Sequence, residues 1–250
     1  MTATSQSPLP PIAIRGWLRY DLVSRLIADL KPRTALEIGC GQGAFGARLA
    51  RDVAYLGVEP DPHSFAVAQQ RIGSQGGKVI NGTDAAVPPE TTYDLVCAFE
   101  VLEHIEDDRA ALSDWAPLVR PGGHLVLSVP AFQDRFGPMD RHAGHYRRYS
   151  PAGLAALLEE AGLTDVDVTV YGWPLGYALE AVRNRIDAKK LASVGDRSPE
   201  ELTAASGRTF QPTTKWSGSL VQAVTLPFRY LQRLRPTAGT GLVAVARRPD

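Results

Sequence analysis

Cysteine is nearly absent: the 250-residue chain has two, Cys40 and Cys97. They lack metal-ligand spacing and cannot build a disulfide framework, so a reducing cytoplasm is the expected setting. No run approaches the roughly twenty apolar residues that a bilayer-crossing helix needs. The opening MTATSQSPLPP has no basic stretch followed by an apolar one, so no secretory leader is expected. A surplus of either charge is missing too. Lysine plus arginine and aspartate plus glutamate number 27 each. That leaves no global basic field to grip a nucleic-acid backbone, and nucleic acid is not expected as a partner. The expectation is a soluble chain with room for one α/β domain, or a domain plus a cap.

Glycine, by contrast, is concentrated where it matters. Residues 35–49 read ALEIGCGQGAFGARL, an apolar run (Ala35, Leu36, Ile38) ending in Gly39, Gly41 and Gly43. A helical pattern follows through Phe45, Leu49 and Ala50. This predicts a buried strand turning sharply into a helix, with a loop bare enough for a ligand to lie against the backbone. Peptide N–H groups there could receive a carboxylate or other anion. Glu37, on the strand just before the turn, suits a cationic or amine-bearing ligand and repels a phosphate. Gly46 completes a G-x-G-x-x-G match from Gly41, so spacing alone leaves a nicotinamide open. The next strand candidate, AYLGVEPD, ends in Glu59, where an acidic side chain can hold both hydroxyls of a ribose. The plainer alternative for Glu59 and Asp61 is a solvated turn before a helix starting near Ser64.

Strand and helix patterns alternate along the chain. A helix over 15–30, with Leu18, Leu22, Leu26, Ile27 and Leu30 on one face, is closed by Pro32. Then come strand 35–39, helix 43–51, strand 54–59, helix 63–72 and strand 78–81. Strand 94–99, a helix near 108–116, strand 124–129 and helix 151–161 follow. Ser150 reads as the N-cap of that last helix, Pro151 as its first residue and Gly162 as its stop. The rhythm predicts a parallel sheet with helices on both faces, and ligands beyond the carboxyl ends of its strands. The glycine loop, Glu59, Asp84 and Glu100 all fall there. Residues 165–173 and 241–249 read as two further strands. The stretch between them is longer than a hairpin needs, so an insertion with its own helices is expected. Its middle, ASVGDRSPEELTAASGRTFQPTT, is polar and turn-rich and is expected to be mobile.

Four more segments join the glycine loop: GVEPD (57–61), NGTDA (81–85), YDLVCAFEVLEHIED (93–107) and LVRPGGHLVLSVP (118–130). In order and spacing the set resembles the class I S-adenosylmethionine-dependent methyltransferases, similar in its cofactor motifs to the ubiquinone-biosynthesis O-methyltransferases. The resemblance implies an α/β, Rossmann-like fold. Its seven-stranded, mostly parallel sheet has helices on both faces and a helical insertion between the last two strands. Residues 1–173 and 240–250 then form the cofactor-binding domain and 174–239 an inserted cap or lid. S-adenosyl-L-methionine is the implied cofactor. Glu37, Gly39, Cys40, Gly41 and Gly43 would hold its methionine portion, and Glu59 with Pro60 the ribose. Asp84 and Ala85 would take the adenine, and Phe99, Glu100 and Val101 would pass beneath the methionine.

Residues 130–151, PAFQDRFGPMDRHAGHYRRYSP, crowd Asp140, His142, His145, Tyr146, Arg147, Arg148 and Tyr149 together. A similar aspartate followed by Gly-His-x-Arg-Arg-Tyr occurs in bacterial methyltransferases of sugar, lipid or secondary-metabolite pathways, which implies a place at the substrate mouth. Methyl transfer from a sulfonium is an in-line displacement, and a hydroxyl nucleophile gains from a base in reach. An amine can leave its proton to solvent. His145 is the expected base, with Asp140 orienting it or contacting substrate. His142, Tyr146, Arg147 and Tyr149 are expected to line the acceptor. Alternatively, His145 and the two arginines pin the loop to a helix end and to acidic neighbours.

Glu100, Glu103 and His104 share a face of a helical turn. Ubiquinone-biosynthesis methyltransferases look similar here and are thought to place a divalent metal nearby. Bracing of the turn is the reading adopted, and no metal is expected. In SLVQAVTLPFRYLQRLRP (219–236), Leu220, Val224, Pro227, Leu231 and Leu234 recur at helical spacing beside Arg229, Arg233 and Arg235. Such a helix can lie in a membrane interface and would suit a lipid-like acceptor. The reading adopted is a lid helix packed on the domain, kinked at Pro227, with its arginines in water. The expected activity is methylation of a small-molecule or lipid- or sugar-linked acceptor, at oxygen. A non-catalytic binding module and N-methylation are the rivals. A nicotinamide dehydrogenase is disfavoured by Glu37 and EVLEH. No residue pattern separates a sugar hydroxyl from a phenol, a carboxylate or an amine, and oligomeric state is equally illegible.

Overall fold

Alternation along the strands divides the interior into two cores. A computed structural model of the chain describes residues 9–191 and 215–250. In β1 (Thr34–Ile38) and β4 (Tyr93–Phe99), successive side chains point to opposite faces. Leu36, Ile38, Val96 and Ala98 enter one core, which α4 (Asp108–Trp115) and α6 (Pro151–Glu160) cover with Leu112, Trp115, Leu154 and Leu158. Ala35, Leu95, Cys97 and Phe99 enter the other. There α1 (Ile14–Leu30), α2 (Gly46–Leu49) and α3 (Pro62–Gly73) supply Leu18, Val23, Ile27, Ala47, Leu49, Ala68 and Ile72.

The remaining strands are β2 (Ala54–Glu59), β3 (Lys78–Asn81), β5 (Val119–Pro130), β6 (Thr164–Gly172) and β7 (Gly239–Arg247). They form one seven-stranded sheet in the order β3-β2-β1-β4-β5-β7-β6. β7 runs antiparallel to both β5 and β6, while the β3, β2, β1, β4 and β5 neighbours pair in parallel. The carboxyl ends of β1, β2, β4 and β5 therefore open on one edge of the molecule, the crevice where ligands of such sheets bind.

Local chemistry sets the ends of these elements. Lys31 adopts a left-handed φ of 49° and closes α1 with its N–H on the Ile27 carbonyl, as a residue before proline must leave helical geometry. Asp61 caps α3 by accepting from the Ser64 N–H, so it serves the helix start and not a solvated turn. Ser150 caps α6 as the sequence predicts, and Gly162 follows it at φ 83°. Two elements differ from expectation by more than two residues at a boundary. The helix predicted over 43–51 shrinks to Gly46–Leu49, because Gly43 stands at φ 75°, outside helical geometry. β5 starts at Val119, five residues early: Val119 pairs with Tyr93 across a register shift that absorbs the glycines 122 and 123.

Between β6 and β7 lie α7 (Leu175–Leu191), α8 (Lys215–Leu231) and a 3-10 turn, Gln232–Leu234. The segment 192–214, predicted to be mobile, lies outside the described residues. Among those described, no helix is long and apolar enough to cross a membrane. α8 packs on α1, but not as predicted. Arg229 and Arg233 turn inward onto the buried Asp21, at 3.2 and 2.9 Å, while Leu220, Val224 and Leu234 face outward. Asp21 is a carboxylate sealed under the helix, and the arginines pair with it because burying it alone is costly.

α7 packs on α5 (Pro138–Ala143), and a buried ion cluster ties the two to the loop beyond them. Arg148, whose side chain is fully buried, donates through Nε and Nη2 to the two oxygens of Asp140 at 2.8 and 2.7 Å. Its Nη1 reaches Glu180 of α7 at 3.1 Å. Changing Arg148→Met removes the cation shared by two buried carboxyls, leaving Asp140 with His145 and Glu180 with Arg135 at 2.9 Å, and is expected to cost up to about 3–5 kcal/mol in urea unfolding. An unchanged midpoint would show that this cluster does not hold α7 in place.

Candidate active site

Three glycines with positive φ, Gly39 (67°), Gly41 (55°) and Gly43 (75°), carry the chain out of β1. Two are required by contact as well. A Cβ on Gly39 would sit 2.7 Å from Val101 Cγ2, and one on Gly43 2.9 Å from Ile72. At Gly41 a Cβ would meet nothing within 4 Å, so the middle of the loop faces open space. The Cys40 N–H bonds the Val58 carbonyl at 3.0 Å, fastening the turn to β2. Glu59, at the end of β2, accepts from the N–H groups of Gly41 (2.7 Å) and Asp61 (3.0 Å). Burial raises its pKa and these two bonds oppose the rise. A carboxylate has about four acceptor positions, so two stay available for a pair of hydroxyls. Asn81 supports the neighbouring main chain through the carbonyls of Glu59 and Pro60. Asp84 opens the short turn Asp84–Ala86 beyond β3, half-buried, with Ala85 exposed.

Glu37 is buried, and Tyr55 donates its hydroxyl to Glu37 Oε2 at 2.6 Å. Gly57, opposite Glu37 in the β1–β2 register, makes this reach feasible. A Cβ there would lie 2.9 Å from both the Tyr55 oxygen and Cys40 Sγ. Burial, only partly offset by Tyr55 and Arg19, pushes the Glu37 carboxyl up to about 8. A neighbouring cation would draw it back to the ionised form.

Glu100 follows β4 with a left-handed φ of 58°, rare for a residue with a Cβ. It accepts from Ser128 Oγ at 3.1 Å and faces Arg19 at 3.2 Å. Burial alone would raise its pKa, but Arg19, with Arg15 and His145, holds it below the usual range. Phe99 lies edge-on to Phe45, ring centres 4.5 Å apart, at the floor beside Val101. Arg19 and Tyr55 were not singled out from sequence. The available signal was the pair Arg15 and Arg19, four apart on an otherwise apolar face of α1.

The second cluster is rearranged. Glu100 turns toward Arg19, and His145 joins Glu103 and His104 instead. Each of these three offers a ligand atom within 4.8 Å of the others, so the set could hold a divalent cation. Glu103 is fully buried, and among the described residues neither of its carboxyl oxygens has a hydrogen-bond partner. Burial, then the charge of Glu100, pushes its pKa well above the usual carboxylate range. The His104 and His145 rings meet edge-to-face at 4.6 Å. Burial, then the charge of His145, lowers His104 to about 4. His145 Nδ1 lies 2.9 Å from Asp140 Oδ1, and Nε2 stands 4.0 Å from Glu103, beyond a hydrogen bond. Asp140 is fully buried, with its carboxylate taken up by His145, Arg148 and the Gly137 N–H. Opposing its own burial, bonds from His145, Arg148 and the Gly137 N–H hold it well below the carboxylate range.

The residues predicted to line the acceptor are mostly engaged elsewhere. Tyr149 is buried, donating to Asp108 Oδ2 at 3.0 Å, and Arg147 pairs with the same carboxylate at 2.7 Å. His142 faces Asp187 of α7 at 4.0 Å, nearly opposite Asp140 around α5. Tyr146 is half-buried, its N–H on the Glu103 carbonyl at 2.8 Å. Packing this polar run against α4 and α7 obliges each charge to find a partner. The alternative reading, in which the arginines pin the loop to acidic neighbours, describes Arg147 and Arg148.

A methyltransferase domain family matches residues 14–168. A probable S-adenosylmethionine-dependent methyltransferase of Mycolicibacterium smegmatis is 32% identical over 166 residues, 64% of this chain and 64% of that protein's length. A ubiquinone biosynthesis O-methyltransferase of Xanthomonas euvesicatoria is 30% identical over 201 residues, 72% of this chain and 80% of that one. Among solved structures, the N-methyltransferase NodS of Bradyrhizobium japonicum, in complex with S-adenosyl-L-homocysteine, superposes with a TM-score of 0.55. It is 20% identical, covers 93% of this chain and 87% of NodS, and shows a shared fold.

The raised pKa of Glu37 makes a stability prediction. A carboxyl raised from 4.5 to about 8 costs nothing below pH 4.5, and its cost grows until pH passes about 8. At pH 7 the ligand-free fold gives up on the order of 3 kcal/mol. Glu37→Gln should therefore melt at a higher temperature than the parent at pH 8 and close to it at pH 5. Equal melting at both pH values would mean that Glu37 is not buried as described.

Proposed function

The chain belongs to the class I S-adenosylmethionine-dependent methyltransferases, and on that footing we propose that it methylates a hydroxyl on a small-molecule or lipid- or sugar-linked acceptor. S-adenosyl-L-methionine is its cofactor and, when bound, supplies an electrophilic methyl on a sulfonium centre. The residues at the crevice fit that group. Gly41 leaves space above the loop that a Cβ would occupy, so the main chain can be approached closely. In this reading Glu37, held near neutrality by burial, ionises against the ammonium of the methionine portion. Glu59 keeps two acceptor positions for the ribose hydroxyls, Asp84 and Ala85 flank the adenine, and Phe99 and Val101 form the floor.

The observation that favours oxygen as the acceptor atom is the Asp140–His145 pair. With Nδ1–H donated to an aspartate whose ionised state Arg148 secures, Nε2 is left as the proton acceptor. A hydroxyl nucleophile needs such a base as its proton becomes acidic, whereas an amine does not. The proton moves from the acceptor oxygen to His145 Nε2, and the imidazolium formed is stabilised by Asp140 at 2.9 Å. His145 is the catalytic residue of this scheme and Asp140 a positioning residue.

Glu59→Ala and Gly41→Asp are each expected to weaken cofactor binding at least about tenfold by calorimetry, about 1.4 kcal/mol. Unaltered affinity in either would remove that residue from the cofactor site. With a panel of phenolic, sugar and amine acceptors, His145→Ala is expected to lower turnover on hydroxyl acceptors about 10²–10⁴-fold while cofactor affinity stays the same. Undiminished turnover, or turnover confined to amines, would overturn O-methylation.

A further inference from the structure

Glu180, Asn184 and Asp187 stand at i, i+4 and i+7 on α7, so the three share one face. All three meet the segment that carries His145. Glu180 takes Arg148 Nη1 at 3.1 Å on one oxygen and Arg135 Nη2 at 2.9 Å on the other. Asn184 Oδ1 accepts from the Met139 N–H at 2.9 Å. The same amide lies over Gly137, where a Cβ would sit 3.0 Å from that oxygen. Asp187 faces His142 at 4.0 Å.

These contacts lead to the imidazole. α5 has six residues, far fewer than the roughly 12–15 at which an isolated helix becomes even marginal in water, so its neighbours must hold it. Gly137, at its start, donates its N–H to Asp140 Oδ2 at 2.8 Å, and Arg148 grips both Asp140 oxygens. Asp140 in turn holds His145 twice. Its Oδ1 lies 2.9 Å from the ring Nδ1, and its carbonyl accepts from the His145 N–H at 2.9 Å. Asn184 thus fixes the turn from which Gly137 reaches Asp140, and Glu180 anchors the arginine that grips it.

We propose that α7 positions the catalytic base, with Asn184 and Glu180 as positioning residues that act on His145 through Gly137, Arg148 and Asp140. The inference rests on His145 being the base of the proposed reaction. Apolar side chains would pack α5 on α7 with less desolvation than a buried ion network. Directional bonds do what such packing does not: they set the angle of the Asp140 carboxylate, and so of the imidazole. A misplacement of about 1 Å at a reacting group can cost on the order of 10²-fold in rate. The contacts of Asn184 and Glu180 fall within residues 135–148, apart from the glycine loop and Glu59. The expected effect is therefore on the base and not on the cofactor.

Asn184→Ala tests this in the full chain, because it removes a neutral, half-buried amide and strands no charge. Its turnover on phenolic or sugar acceptors is expected to fall at least about tenfold, with KM and cofactor affinity at parental values. Glu180→Gln, which loses the charge that Arg148 and Arg135 share, should act in the same direction. In a His145→Ala background, Asn184→Ala should change turnover by less than roughly twofold, because the group it acts through is gone. Ring-nitrogen NMR shifts of His145 in protein with isotope-labelled histidine, assigned by their loss in His145→Ala, should move in Asn184→Ala. Unmoved shifts, parental turnover in either variant, or a loss expressed in KM or cofactor affinity instead would overturn the proposal. So would an equal fall with and without His145. All these outcomes leave His145 as the base; full turnover in His145→Ala alone removes it, and the role of α7 with it.

Discussion

Five carboxyl groups gather at one end of the sheet, and the compensation each receives decides what it can do. Removing a carboxylate from water is unfavourable unless hydrogen bonds or a cation replace the solvent. Glu59 has two backbone N–H groups, Glu100 has Arg19, and Asp140 has Arg148 and His145. These three stay within reach of their charged forms. Glu37 has one tyrosine hydroxyl, and the Glu103 carboxyl has no hydrogen-bond partner among the described residues. Those two are pushed toward neutrality. A single edge of the molecule thereby sets well-compensated carboxylates beside carboxyls that burial pushes toward neutrality.

The architecture was legible because its signals are local. Ser150, Pro151 and Gly162 bracket α6 by rules that act within one turn. The apolar runs at 35–38 and 95–99 are strands because nothing polar interrupts them except Glu37. The glycine turn was equally plain, since only residues without a Cβ pass through three left-handed positions beside Val101 and Ile72.

Side-chain partnership was less legible. Tyr55 reaches Glu37 only because Gly57 is empty of side chain, a fact that needs the β1–β2 register. Arg19 meets Glu100 only once α1 lies against the sheet. In the polar run 140–149 the residue types gave chemistry but not direction. Each residue along α5 turns a side chain by about 100°, so the two-residue step from Asp140 to His142 reverses direction, sending Asp140 to His145 but His142 to Asp187. Alternation in α8 misled for a related reason. Helical spacing defines an apolar face, yet which face turns inward was decided by Asp21 on another helix.

α1 carries two of these partnerships at once. Arg19 and Asp21 are two residues apart on one rigid helix, the first holding Glu100 at the crevice and the second holding α8. The crevice and the outer helix therefore share a single axle. A displacement of α8 large enough to drag Asp21 with it would also part Arg19 from Glu100 and release the charge that keeps that carboxylate ionised.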